Sequence, residues 1–197
     1  MGGFKLVLGL SNIRPVKKNV LFICVQNSAR SQIAAALLNE ICGDYFEAQS
    51  AGLEPGVLNP LAVEALQERG IDISRNKTQS VFDVWKSAQH IFAYAITVCS
   101  ESEAEGCPIF PGVTTRLHWS FPDPAKFTGT HAEKLAKTRE LLEEIRAKME
   151  EFCAEYCELD LQTYVFAPFA KDGQKVNRGI FGNFLPRFCR HRRDRDR

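Results

Sequence analysis

The sequence predicts an α/β domain in which a parallel sheet is covered by helices on both faces. Short apolar runs alternate with helical patterns from residue 19 to residue 157, the order that builds a parallel sheet. The runs are continuous rather than alternating, as in strands buried on both faces. With 45% hydrophobic and 25% charged residues among 197, the chain also has the composition of a globular protein with a sizeable core.

Asn19-Val-Leu-Phe-Ile-Cys24 follows Lys17-Lys18 and precedes polar residues, which suits a buried first strand. Gln32 to Ile41 carries Ile33, Ala34, Leu37, Leu38 and Ile41 at helical spacing. Phe46 to Ala51 predicts a second strand, and a loop with Gly52, Pro55 and Gly56 follows. Asn59 is a good helix cap and Pro60 suits the first helical position, with Gly70 as the stop. Val81 to Ser87 predicts a short helix, Ile91 to Val98 a third buried strand and Thr115 to Ser120 a fourth. Thr130-His-Ala-Glu133 is a capping box. The helix it opens carries Leu135, Leu142, Ile145, Met149, Phe152 and Tyr156 on one face, and Glu133/Lys137 and Glu144/Lys148 stand one turn apart as supporting pairs.

Beyond Cys157 the pattern degrades. Leu159 to Phe169 is a candidate strand, followed by scattered Gly, Pro and Phe and a closing Arg/Asp run. The expected organisation is therefore a domain over 19–157 and a poorly ordered appendage over 158–197.

The net charge is +1, which excludes a global nucleic-acid footprint. From Glu158 onward nine basic residues face five acidic ones, against 16 and 19 before it, so the basic excess belongs to the tail, read as a solvated one. No apolar run approaches the roughly 18–20 residues of a membrane span. The opening Met1–Leu6 is too short an apolar stretch for a secretory signal, and Leu6 stands where a myristoylation signal needs Ser or Thr. The cytoplasm is the expected location. Seven cysteines then point to chemistry, metal or core packing rather than a disulfide framework.

The loop after the first strand carries the strongest chemical signal: Cys24-Val25-Gln26-Asn27-Ser28-Ala29-Arg30-Ser31. Successive backbone N–H groups at a helix N-terminus form an anion-binding concavity. Arg30 can close it with a planar fork that holds two oxygens at once. The same positive environment favours the thiolate of Cys24, the nucleophilic form. Ser31 is placed to donate to the sulfur and Asn27 to hold the loop. Taken alone, Cys24 also reads as a small apolar residue closing a strand. The strand before it and the helix after it favour the chemical role.

This loop resembles the catalytic loop of the low-molecular-weight protein tyrosine phosphatases and of the thioredoxin-coupled arsenate reductases built on the same fold. The resemblance runs from about Asn19 to Cys153. It includes Ser50-Ala-Gly52, Gly70-Ile-Asp-Ile-Ser74, Ile96-Thr-Val-Cys99, Cys107-Pro-Ile-Phe-Pro-Gly112 and His118-Trp-Ser-Phe-Pro-Asp-Pro124. It implies a three-layer sandwich, a four-stranded parallel sheet with helices on both faces. Val25 to Ser31 would bind the substrate oxyanion, arsenate or a phosphate-like group.

Asp123-Pro124 matches the family's general-acid loop, where a carboxyl supplies the proton that a leaving oxygen needs. In the phosphatases aromatic residues usually follow; here Ala125-Lys126 follow, which favours a small inorganic oxyanion over an aryl phosphate. Cys99 closes the third strand toward the same sheet edge as Cys24. Seven residues separate it from Cys107, a polar acidic stretch that reads as a mobile loop able to bring the two thiols together. Reactive thiols often sit beside such a resolving cysteine.

The resemblance then implies a sequence of steps. Cys24 attacks arsenate while Asp123 protonates the departing oxygen. Cys99 attacks the sulfur of Cys24 and releases arsenite, and Cys107 resolves the disulfide for reduction by thioredoxin. No organic cofactor is implied. No cation site is implied either, because Ala35 stands where some relatives carry a carboxylate. The alternatives are a phosphatase acting on phosphotyrosine, with Cys99 and Cys107 incidental, and a non-enzymatic oxyanion-binding module.

Cys42 is expected in the core, and His90 and His118 in structural roles. Cys153, Cys157, Cys189 and His191 form a conceivable zinc set, but their long irregular spacing argues against it.

Overall fold

A computed structural model describes residues 16–87, 91–99 and 115–165, with side chains as far as Tyr156. Four strands form one parallel sheet: β1 (Lys18–Cys24), β2 (Phe46–Gly52), β3 (Phe92–Thr97) and β4 (Thr115–His118), in the spatial order β2-β1-β3-β4. The helices are α1 (Arg30–Cys42), α2 (Pro60–Gln67), α3 (Val81–Lys86) and α4 (His131–Val165), and Pro124–Lys126 forms a 3-10 turn. The α/β layered sheet expected from the sequence is therefore the observed fold.

Pleating divides the sheet residues between two faces. Val20, Phe22, Cys24, Ile96 and Val98 pack with residues of α1, α2 and α4, whereas Leu21, Ile23, Ala51 and Ala95 pack with Val81 and Val84 of α3. An aromatic cluster fastens α4 to the sheet. Phe46 lies 4.8 Å from Tyr156 and 5.2 Å from Phe152 between ring centroids, and Tyr94 lies 5.1 Å from Phe152. Such pairs add about 0.5–1.5 kcal/mol each beyond the area they bury.

The predicted helix signals act as expected. The Asn59 side chain accepts from Leu61 N at 2.9 Å. Gly70 adopts φ +80 just beyond α2, a conformation that glycine takes without a Cβ clash. Thr130 N donates to Glu133 Oε2 at 2.7 Å, and Glu133 N donates to Thr130 Oγ1 at 3.3 Å. The supporting pairs differ: Lys148 pairs with Glu151 at 2.7 Å rather than with Glu144, and Lys137 Nζ donates to Thr128 O at 3.3 Å while Glu133 Oε2 accepts from Thr130 N.

The candidate strand at 159–169 is corrected: residues 159–165 belong to α4. No Gly or Pro interrupts the chain between Cys157 and Ala167. Extending an existing helix gains a hydrogen bond for each residue fixed, whereas a new strand would need a sheet edge to join. Residues 166–169 and the rest of the tail lie outside the described residues. Among the described residues no helix is long and apolar enough to cross a membrane.

Going outward from β1, the chain reaches β2 on one side and β3 on the other. The carboxyl ends of β1 and β3 therefore flank a topological switch point, where open parallel sheets place their ligands.

Candidate active site

Cys24 is the last residue of β1, and Arg30 is the first of α1. The five residues between them make a loop whose carbonyls are tied to the segment that follows β2. Leu53 N donates to Cys24 O, Glu54 N to Val25 O, Gly56 N to Gln26 O and Asn59 N to Ser28 O, at 2.9–3.2 Å. Engaging these acceptors elsewhere keeps them out of the way of an anion, which needs donors. Ala29, the N-cap of α1, has no side chain to cap the first turn, so the amides there are left for a ligand.

The sulfur is held by two groups. Cys24 Sγ accepts from Asn27 N at 3.0 Å and lies 3.0 Å from Ser31 Oγ. Asn27 Nδ2 donates to Ser31 Oγ at 2.9 Å, which leaves the Ser31 hydroxyl hydrogen to point at the sulfur. Asn27 adopts φ +53, a region that asparagine tolerates better than most residues. Its own carbonyl oxygen Oδ1 accepts from Gln79 N at 3.0 Å and from Gln32 Nε2 at 3.2 Å. Gln32 is 2% exposed and accepts in turn from Asn76 Nδ2 at 3.0 Å. A buried polar network that is satisfied throughout rigidifies what it touches.

Gly52 closes this scaffold. A Cβ there would stand 2.7 Å from Asn27 N and 2.8 Å from Val25 O, both backbone atoms. Gly52→Ala is expected to push the loop out of position. The cost should be about 1–3 kcal/mol of stability, as for other overpacked sites, together with weakened oxyanion binding. Thermal melts and phosphate titration read the two effects separately.

Arg30 is 5% exposed. Its Nη2 lies 2.8 Å from Asp123 Oδ2, and its Nη1 donates to Phe121 O at 3.3 Å. Asp123 uses its other oxygen to accept from Ala125 N at 3.0 Å, which caps the 3-10 turn. A cavity of about 200 Å³ is lined by Cys24, Val25, Gln26, Ser28, Ala29, Arg30, Asp123, Ala125 and Lys126. Thiol, guanidinium and carboxyl thus meet at one opening with room for a tetrahedral oxyanion. Asn27 and Ser31, also expected among the binding residues, are fully buried and are absent from the lining. They serve the sulfur and the scaffold.

Cys99 lies two residues past β3 and is 2% exposed. Val98 N donates to Ile23 O at 2.8 Å, so Cys99 lies at the same sheet edge as Cys24. The two are not joined by a disulfide. Cys107, the loop before it, His90, Cys189 and His191 lie outside the described residues. His118 is structural, with Nδ1 lying 2.7 Å from Thr97 Oγ1.

Cys42 and Cys153 are both buried and hydrogen-bond to each other where α1 meets α4. That bond, and then burial, push the Cys153 thiol far above its ordinary range, so it stays protonated in the core. Ala35 is a core residue of α1. Among the described residues no group of three or more His, Cys, Asp or Glu is arranged to hold a metal ion. A larger concavity, about 550 Å³, lies between α2 and α4. Both of its arginines are already paired, Arg139 with Glu68 and Arg69 with Glu143, so an oxyanion site is better sought at the smaller cavity.

The chain is similar to proteins already known. A family model described as low molecular weight phosphotyrosine protein phosphatase matches residues 19–163. The arsenate reductase of Bacillus licheniformis is 40% identical over 136 residues, which cover 69% of this chain and 95% of that protein. A solved structure described as an arsenate reductase in the phosphate binding state is 25% identical with a TM-score of 0.57, covering 70% of this chain and 98% of its own. The crystal structure of an arsenate reductase from Archaeoglobus fulgidus is 31% identical with a TM-score of 0.50, covering 66% and 98%.

Proposed function

The chain belongs to the low molecular weight phosphotyrosine protein phosphatase family, and from that premise we propose that it reduces arsenate to arsenite. The observation that carries the reading is the convergence of Cys24, Arg30 and Asp123 on one cavity, with Cys99 buried at the same sheet edge.

The steps balance in atoms and electrons. Arsenate enters against the loop amides and takes over the Arg30 fork, displacing the Asp123 carboxylate that pairs with it. Cys24 attacks arsenic as a thiolate, and the departing oxygen leaves as water with a proton supplied through Asp123. Cys99 then attacks the sulfur of Cys24. The sulfur–arsenic bond breaks with its electron pair on arsenic, which leaves as arsenite, and a Cys24–Cys99 disulfide remains. Cys107 attacks Cys99 and frees Cys24, and thioredoxin reduces the Cys99–Cys107 disulfide. The two electrons pass from cysteine thiols to arsenic and are replaced by thioredoxin, so the scheme calls for no organic cofactor. It suits a reducing cytoplasm, and it assigns the chemistry to residues 19–157, with 158–197, which opens as the last turns of α4, as an appendage. Neither a membrane nor a nucleic acid takes part.

Phosphotyrosine hydrolysis by the same loop is the second reading. Ala125 and Lys126 at the cavity, where an aryl ring would need an aromatic wall, favour the small oxyanion. The deciding assay combines the purified protein with thioredoxin, thioredoxin reductase and NADPH. Arsenate-dependent NADPH oxidation supports the reductase, and aryl-phosphate turnover without it supports the phosphatase.

A further inference from the structure

The charges around the cavity do not balance when it is occupied. Arg30 and Asp123 neutralise each other across 2.8 Å. A tetrahedral oxyanion of the arsenate or phosphate type carries between one and two negative charges near neutral pH. Among the described lining residues it faces a single guanidinium, beside the Cys24 sulfur and the Asp123 carboxyl, and like charges a few ångströms apart repel even when well solvated. The loop amides and the start of α1 supply partial charges. A second full cation near the opening would relieve the repulsion, and one of the lining residues is a lysine.

Lys126 is that residue. Its backbone is fixed relative to the acid: Lys126 N donates to Asp123 O at 3.0 Å, Pro124 opens the turn, and the Asp123 side chain caps it. Its side chain is exposed and carries a compact ammonium on a flexible stem. Its neighbour Ala125 is too small to cover the opening.

We propose that Lys126 is a specificity-determining residue of this site, supplying a second positive charge at the cavity mouth that favours small, multiply charged tetrahedral oxyanions. Arg30 acts by directed hydrogen bonds from a buried position. Lys126 acts by charge from the rim, so its contribution is salt-sensitive and does not depend on fork geometry. The proposal rests on the cavity being an oxyanion site, but not on which oxyanion is turned over.

The test uses inorganic phosphate as the probe, which keeps it separate from arsenate turnover. Phosphate protection of Cys24 against iodoacetamide is followed by peptide mass mapping in the full-length protein and in Lys126→Gln and Lys126→Arg, across a sodium chloride series. In dilute buffer Lys126→Gln should weaken phosphate binding about fivefold, the size expected for one well-solvated charge pair. The difference should close in high salt, and Lys126→Arg should bind close to wild type. Equal binding by Lys126→Gln and wild type in dilute buffer overturns the proposal. So does equal weakening of both variants at every salt concentration, which would mark a structural role. A wild-type protein that phosphate never protects overturns the oxyanion site and Lys126 with it. Phosphate protection without arsenate turnover overturns the reductase reading alone, and the Lys126 comparison is still read from the same titrations.

Discussion

Cys24→Ser is expected to abolish arsenate turnover, lowering it on the order of 10⁴-fold or more, as loss of an enzyme's nucleophile does. Any aryl-phosphate hydrolysis should vanish with it, because both reactions begin with attack by the same sulfur. The variant should still fold. A hydroxyl at this position accepts from Asn27 N and meets Ser31 Oγ much as the thiol does, and a buried Ser with partners is tolerated. Thermal melts should therefore stay near those of the parent while steady-state rates collapse. A Cys24→Ser protein that keeps measurable turnover would place the nucleophile elsewhere.

The second large effect separates the loop from the relay. Cys99→Ser and Cys107→Ser should each stop thioredoxin-coupled turnover, because a hydroxyl cannot accept the sulfur–sulfur bond that carries the oxidation. Aryl-phosphate hydrolysis, which needs only the loop, Arg30 and Asp123, should stay within about twofold, since no group acting on its transition state is removed. The measurement is a pair of rates on the same preparation, NADPH oxidation and aryl-phosphate release. Parallel loss of both would instead mark Cys99 or Cys107 as a support of the loop.

Much of this arrangement is legible in the sequence because its signals are local. Asn59, Pro60, Gly70 and the Thr130/Glu133 box mark helix ends within a few residues, and each acts as its type predicts. The apolar runs of β1 and β3 are short enough to be strands and too apolar to be edge strands. The Cys24–Arg30 spacing shows the loop because a strand and a helix bracket it. What the sequence hides is set by long-range contact. Gln32 sits in an apolar helical pattern and gives no sign that Asn76 will bond it from 44 positions away. The requirement for Gly52 comes from the backbone of Asn27 lying against it, which no neighbour of Gly52 in the chain reveals. The Arg30–Asp123 pairing, which gives the acid a role before substrate arrives, spans 93 positions. At the other end, Leu159 to Val165 reads locally as a strand, but the helix already running through Cys157 continues into it.

The central claim is that Cys24 and Cys99 pass through a shared disulfide when the oxyanion is reduced. Treating Cys107→Ser with arsenate in the absence of any reductant, followed by non-reducing peptide mass mapping, tests it directly. The account predicts that a Cys24–Cys99 disulfide accumulates to about one per chain, with one arsenite released for each and none formed when phosphate replaces arsenate. Thiols that all remain reduced under arsenate, or a disulfide that leaves out Cys24, would contradict it.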